Sequence, residues 1–333
     1  MNSPEEARTT PEAASRREML LKLLRVGGVG ATAAAAGLWL RGRSRRPEEE
    51  VALTLHRRAA VLADARYPEM VVAQGEDPAA LVRKALDRLG GINRFIARGD
   101  VVVIKPNIAW DRTPEQAANT NPQAVAEMVR QCWGAGAKKV IVTDVSCNEP
   151  RRCFQRSGIA SAASAAGAEI ILPEENLFRT VNLRGDVLGE WLVFEPFLAA
   201  DKLINFPIAK SHSLTGVSLG MKNWYGILGG ARNRLHQRIH ESLADLADAM
   251  RPTLTLLDAY RVLIRNGPTG GSLADVLLKK TLVAGTDPVA LDAYVAKAYW
   301  NLDAPQLRYL QLAQDRGLGK TDFAKVRTEI VAA

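Results

Sequence analysis

The chain holds 333 residues, 47% hydrophobic and 24% charged, a globular balance that excludes a disordered, collagen-like or many-span membrane protein. Lys and Arg outnumber Asp and Glu by 44 to 36, yet Met1 to Arg46 alone carries nine bases against four acids. The body therefore keeps little of the net +8 and lacks the concentrated basic face that duplex binding needs, which argues against a nucleic-acid partner.

The N-terminus reads as an address. Arg16, Arg17 and Lys22 precede Val26 to Leu40, fifteen residues without a charge, the order of a basic n-region and an apolar h-region. The run is short of the roughly 20 residues that span a bilayer as a helix. Paired arginines before it resemble a twin-arginine signal, with Met19 where the motif carries Phe. The implied partner is the twin-arginine export machinery, and the implied location is the periplasm or the outer face of the membrane. Ala34 and Ala36 offer a cleavage site, whereas Arg41, Arg43, Arg45 and Arg46 oppose translocation; removal and retention as an N-terminal membrane attachment are both compatible with this pattern. Residues 1–46 are thus read as signal or anchor, 47–58 as linker and 59–333 as one α/β domain.

Within the body, Val- and Ile-rich runs alternate with helical patterns, which predicts a largely parallel, Rossmann-like sheet with flanking helices. Strands are expected at Ala60 to Ala65, Val101 to Lys105, Lys139 to Val145, Glu169 to Leu172, Lys202 to Phe206, Thr253 to Asp258 and Thr281 to Ala284. Helices are expected at Pro78 to Leu89, Pro122 to Trp133, Ser242 to Arg251 and Pro288 to Asn301, with Asn121 and Asp287 as N-caps ahead of prolines. Val187 to Pro196 reads as a hairpin arm, and the chain has room for a second lobe dividing near Glu174 to Gly189.

Ligands of open parallel sheets collect beyond the carboxyl ends of the strands. Lys105, Asn107, Asp144 and Asp258 occupy such ends, although Asp and Asn also serve there as turn and capping residues. Asn205 to Gly230 is denser: Lys210, His212, Lys222 and Asn223 stand among Ser, Thr and Gly without acidic partners, a donor-rich set that suits a carboxylate or phosphate. Its glycines match neither a P-loop nor G-x-G-x-x-G. His236 and His240 are four apart in an expected helix, a spacing open to a divalent metal and equally to surface histidines; Gln237 departs from the zinc-protease motif. Cys147 and Cys153, with arginines between them, are open to a reactive thiol or a disulfide. The three cysteines of the chain are too few for an iron–sulfur cluster held by one chain.

Together, Lys105-Pro-Asn107, KKVIVTD, Asn205-Phe-Pro, Lys210-Ser-His212, Lys222-Asn223, Leu-Asp258-Ala, Asn266-Gly-Pro268 and Gly285-Thr-Asp287-Pro with Asp292 resemble the domain of unknown function 362 family over about Ala60 to Trp300. The resemblance implies an α/β domain rather than a particular reaction. Some members append a ferredoxin-like segment that this sequence lacks. The residues themselves favour an exported enzyme acting on a small anion: Lys210 and Lys222 hold the charge, His212 serves as acid or base, Lys105, Asn107, Asn223 and Asp258 bind substrate, and a divalent metal at His236 and His240 is a candidate cofactor. The competing expectation is a non-catalytic extracytoplasmic ligand-binding or assembly protein.

Overall fold

A computed structural model describes residues 53–54, 61 and 64–333; the expected signal, and half of the strand expected at Ala60 to Ala65, lie outside them. Residues 52–333 form one unit. In chain order its elements are β1 (Leu53–Thr54), β2 (Met70–Gln74), α1 (Pro78–Arg88), β3 (Val101–Pro106), α2 (Pro122–Gly134), β4 (Lys139–Val142), α3 (Pro150–Arg156), α4 (Ile159–Ala165), β5 (Glu169–Ile170), β6 (Phe178–Asn182), β7 (Glu190–Phe194), α5 (Glu195–Ala199), β8 (Lys202–Phe206), β9 (Ile208–His212), β10 (Gly216–Ser218), α6 (Gly220–Asn223), α7 (Ile239–Met250), β11 (Leu254–Leu263), β12 (Val276–Gly285), α8 (Pro288–Trp300), α9 (Arg308–Asp315) and β13 (Thr328–Ala332).

The main sheet runs β13-β2-β12-β11-β8-β3-β4-β5. Along this path only β12 is antiparallel to its neighbours; the others pair parallel. The near-continuous apolar strands follow from burial on both faces. Met70, Val72, Val103, Leu203, Leu257 and Val283 face one core, under Leu243 and Leu246 of α7, Val295 of α8 and Leu310 of α9. Val71, Ala73, Val102, Ile104, Ile204, Leu256 and Leu282 face the other, under Leu81 and Val82 of α1 and Val125 and Met128 of α2. Alternate residues of each strand thus supply alternate layers.

The capping expectations hold: Asn121 Oδ1 accepts from Gln123 N and Ala124 N, and Asp287 Oδ1 from Val289 N and Ala290 N. The arm is a hairpin, β6 against β7, extended into a second small sheet by β1. Two expectations need correction. The first strand of the main sheet is Met70–Gln74, because that run can pair with both β12 and β13, while Asp64 to Tyr67 closes a turn. The helix expected around His236 is broken: Arg232–Arg238 is a 3-10 turn and α7 starts only at Ile239, with Arg238 at φ −131°, ψ 56° between them. Among the described residues, no helix is long and apolar enough to cross a membrane.

Candidate functional site

Beyond the carboxyl ends of β3 and β4 and beside β9 lies a cavity of about 300 Å³. β3 delivers Lys105, with Asn107 just past it; Asp144 follows β4. On β9, Lys210 and His212 are two residues apart, so the strand's two-residue period aims both side chains at one face, and both line the cavity. β10 pairs antiparallel with β9, Ser218 opposite Lys210, and leads into α6. Asp292 of α8 fixes that short helix by accepting from Gly220 N at 2.8 Å and Met221 N at 3.0 Å, which sets Lys222 and Asn223 on the cavity wall. Burial pushes the Asp292 carboxyl up to about 7.

Lys105 is fully buried and its three donors are committed. Its Nζ reaches Asp144 Oδ1 at 2.6 Å, Asn223 Oδ1 at 3.0 Å and Pro106 O at 3.0 Å. Asp144 Oδ2 accepts from Ile108 N at 2.6 Å. Asn223 is equally committed: its oxygen also accepts from Asn107 Nδ2, and its Nδ2 donates to Lys105 O and Asn205 Oδ1. These residues form a scaffold rather than a row of free donors. Gly226 makes it possible, since a Cβ there would overlap Asp144 Oδ1 and sit 2.6 Å from Lys105 Nζ. Gly226→Ala should therefore cost about 1–3 kcal/mol through overpacking. Denaturant unfolding measures it, and a loss below ~0.5 kcal/mol would mean that the pair gives way without cost.

The free positive charge lies on other residues. Lys210 donates to Asn107 Oδ1 at 2.9 Å and Ala118 O at 2.7 Å, which leaves one of the three donors of its ammonium group. The half-buried Lys222 places its ammonium 3.7 Å from the centroid of the Tyr225 ring, a cation–π contact. Arg232 donates to Val145 O, Tyr225 O and Ser146 O and reaches Cys147 Sγ at 3.6 Å. Asp144 is the only carboxylate among the described residues lining the cavity, and it is taken by Lys105. Burial pushes Lys210 and Lys222 down to about 7, with neighbouring lysines adding to the effect on each. Burial, then Lys222 and Lys210, holds His212 down at about 3. His212 Nδ1 accepts from Leu214 N at 3.2 Å, so the neutral ring carries its proton on Nε2 and is a hydrogen-bond donor there.

The structure thus brings Lys105, Asn107, Lys210, His212, Lys222 and Asn223 to one cavity, with Arg232, Cys147, Tyr225 and His236 as further wall residues. Asp258, expected to join them, does not. β11 continues past it to Leu263, and its oxygens accept from Asn121 N and Tyr260 N, tying α2 to the sheet; burial pushes it up to about 6. His236 faces the cavity with Nδ1 3.0 Å from Asn233 O, whereas His240 stacks on Tyr309 with ring centroids 6.4 Å apart. The break at Arg238 separates the two. Among the described residues, no group of three or more His, Cys, Asp and Glu side chains is placed to hold a metal ion. Cys132, Cys147 and Cys153 are all free. Arg232 carried no sequence signal, because an irregular turn has no periodicity to show which side chains face inward.

Fold and site together define an α/β domain with a cationic cavity at the rim of a mostly parallel sheet. The chain belongs to the family described as domain of unknown function (DUF362), which matches residues 102–297, more than half its length. It is 27% identical over 250 residues to a thylakoid-associated protein of Synechocystis sp., covering 73% of this chain and 76% of that protein. Among solved structures it is similar to the lactate racemase apoprotein of Thermoanaerobacterium thermosaccharolyticum, with TM-score 0.40 and 14% identity over 69% of this chain. It is also similar to a protein from Thermotoga maritima, with TM-score 0.37 and 12% identity over 72% of this chain. The chain spans 57% and 60% of the lengths of these two structures.

Proposed function

We propose that the cavity binds a small carboxylate or phosphate and that the protein is an enzyme acting on it. One observation carries this reading: Lys210, Lys222 and Arg232 face a cavity whose only carboxylate among the described residues is already paired with Lys105. Bringing cations together out of water is unfavourable until an anion answers them, and a ligand bearing one or two negative charges does so. His212 would add a neutral N–H donor. Lys222, held at about 7 and without a hydrogen-bonded acid partner among the described residues, is the group suited to give or take a proton near neutrality. In this reading Lys105, Asn107 and Asn223 position the others and do not themselves grip the ligand.

The N-terminal segment serves as an export signal or anchor in this proposal, on the strength of its sequence alone.

Lys222→Met should weaken binding of the anion by about 10- to 100-fold, the size of a lost charge-assisted hydrogen bond. Calorimetric titration with inorganic phosphate and with acetate measures the change. Equal affinity in the variant would remove Lys222 from the site and with it the central feature of the reading. A non-catalytic binder would show the same loss, so product formation from the bound anion separates it from an enzyme.

A further inference from the structure

A second cavity, of about 560 Å³, adjoins the first: Val145 and Arg232 line both. Its lining carries fewer charged side chains. Phe178 of β6, Leu192 of β7, Leu228, Pro150 and Pro173 supply an apolar lining, and Glu175 is the only carboxylate there among the described residues. Two polar side chains on this wall are engaged elsewhere. Ser146 Oγ donates to Ile108 O, and Asn148 Oδ1 accepts from Asp111 N. The arm is fastened to the lip of the inner site, with Gly229 N donating to Leu192 O and Trp191 Nε1 donating to Gly229 O. Gly229 lets the Phe178 ring lie against the backbone, since a Cβ there would come within 2.6 Å of the ring. Leu192, on the rim of this cavity, is 39% exposed.

We infer that the ligand is an amphiphilic anion, a carboxylate or phosphate head held in the inner cavity and an unbranched apolar chain lying past Arg232 in the outer one. This rests on the anion reading above and narrows its substrate class. The guanidinium of Arg232 stands where head and chain meet. Its donors are taken by the Val145, Tyr225 and Ser146 carbonyls, so it marks the boundary between the two cavities, while Lys210 and Lys222, which line only the inner one, hold the head. The outer volume lies within the range usual for ligand pockets and suits a chain of several methylenes.

The experiment is a chain-length series by calorimetry, acetate, butanoate, hexanoate and octanoate beside the matching alkyl phosphates, each below its micelle concentration. Affinity should rise about two- to fourfold per methylene and level off when the chain outgrows the outer cavity. The carboxylate and phosphate arms identify the head group. Leu192→Asp, at a half-exposed position that can accept a charge without unfolding the hairpin, should flatten the series, and Lys222→Met should weaken every member alike. A flat series in the native protein, with the short anions still bound, overturns this inference and leaves the anion reading standing. A gain with chain length that survives Leu192→Asp shows adsorption elsewhere and also overturns it. Failure of every member to bind overturns the anion reading itself.

Discussion

Replacing Lys105 by Met should lower the unfolding free energy by about 3–5 kcal/mol, the usual result of removing one partner from a buried ion pair. Lys105 and Asp144 are both essentially inaccessible to solvent, and the 2.6 Å bond between them is the principal compensation for burying either charge. Without Lys105, Asp144 keeps only the Ile108 amide, and Asn223 loses the cation that holds its oxygen. The wall carrying Lys222 then loses its anchor, so anion binding should fall with stability. Denaturant melts report the first effect and calorimetric titration the second. The double variant Lys105→Met/Asp144→Leu is the decisive companion: an apolar pair of similar volume should recover most of the stability but not the binding geometry. A single variant within ~1 kcal/mol of the native protein would show that the pair is not holding the sheet ends together.

Anion affinity should be highest below neutral pH and should fall about tenfold per pH unit for each lysine that must hold its proton, beginning near pH 7. Both Lys210 and Lys222 are lowered to about 7 in the folded protein against an ordinary 10.5. Burial is the main cause for both; Lys105 adds to it for each, Lys222 for Lys210 and Arg232 for Lys222. Binding an anion favours the charged form, so near pH 7 and above the complex should take up protons. Titrations in buffers of different ionisation enthalpy measure that uptake directly. The sign for stability is the reverse of a salt-bridged lysine's. Between about pH 7 and 10.5 the unfolded chain keeps protons that the folded one has released, so these two groups make the ligand-free protein more stable as pH rises through that window. Asp258 and Asp292, raised to about 6 and about 7, act oppositely below it: stability from them falls as pH climbs from their ordinary 3.8 toward neutrality. Affinity unchanged between pH 6 and 9 would refute the role of the lysines.

Much of the scaffold was legible because its signals are local. Asn121-Pro122 and Asp287-Pro288 state their helices through one capping side chain and one fixed φ, and strands buried on both faces announce themselves as unbroken apolar runs. The first strand was misplaced because Ala60 to Ala65 and Met70–Gln74 look alike to any periodicity argument; partners on β12 and β13, more than 200 residues away in sequence, choose between them. The inner cavity was readable as a list of residues, not as a division of labour. Lys105 and Lys210 are indistinguishable on paper, yet one is consumed by Asp144 and the other retains a free donor. Asp258 ends a run of apolar residues in the sequence, but β11 does not end there, so the expected strand end is a strand interior. The His236 and His240 spacing assumed a helix that the backbone interrupts at Arg238. Arg232 could be found only from three-dimensional placement.

The crowd of like charges around the inner cavity carries a consequence for the life of the molecule. An empty copy relieves the repulsion among Lys105, Lys210, Lys222 and Arg232 only in part, through the Lys105–Asp144 pair and through protons lost from Lys210 and Lys222, whereas a copy that binds the proposed anion would gain roughly 2.7 kcal/mol when the free ligand stands at about 100 times its dissociation constant. Proteases cut what opens. The number of surviving copies in a cell would then follow the supply of the compound, making abundance itself a readout of how much of it is present.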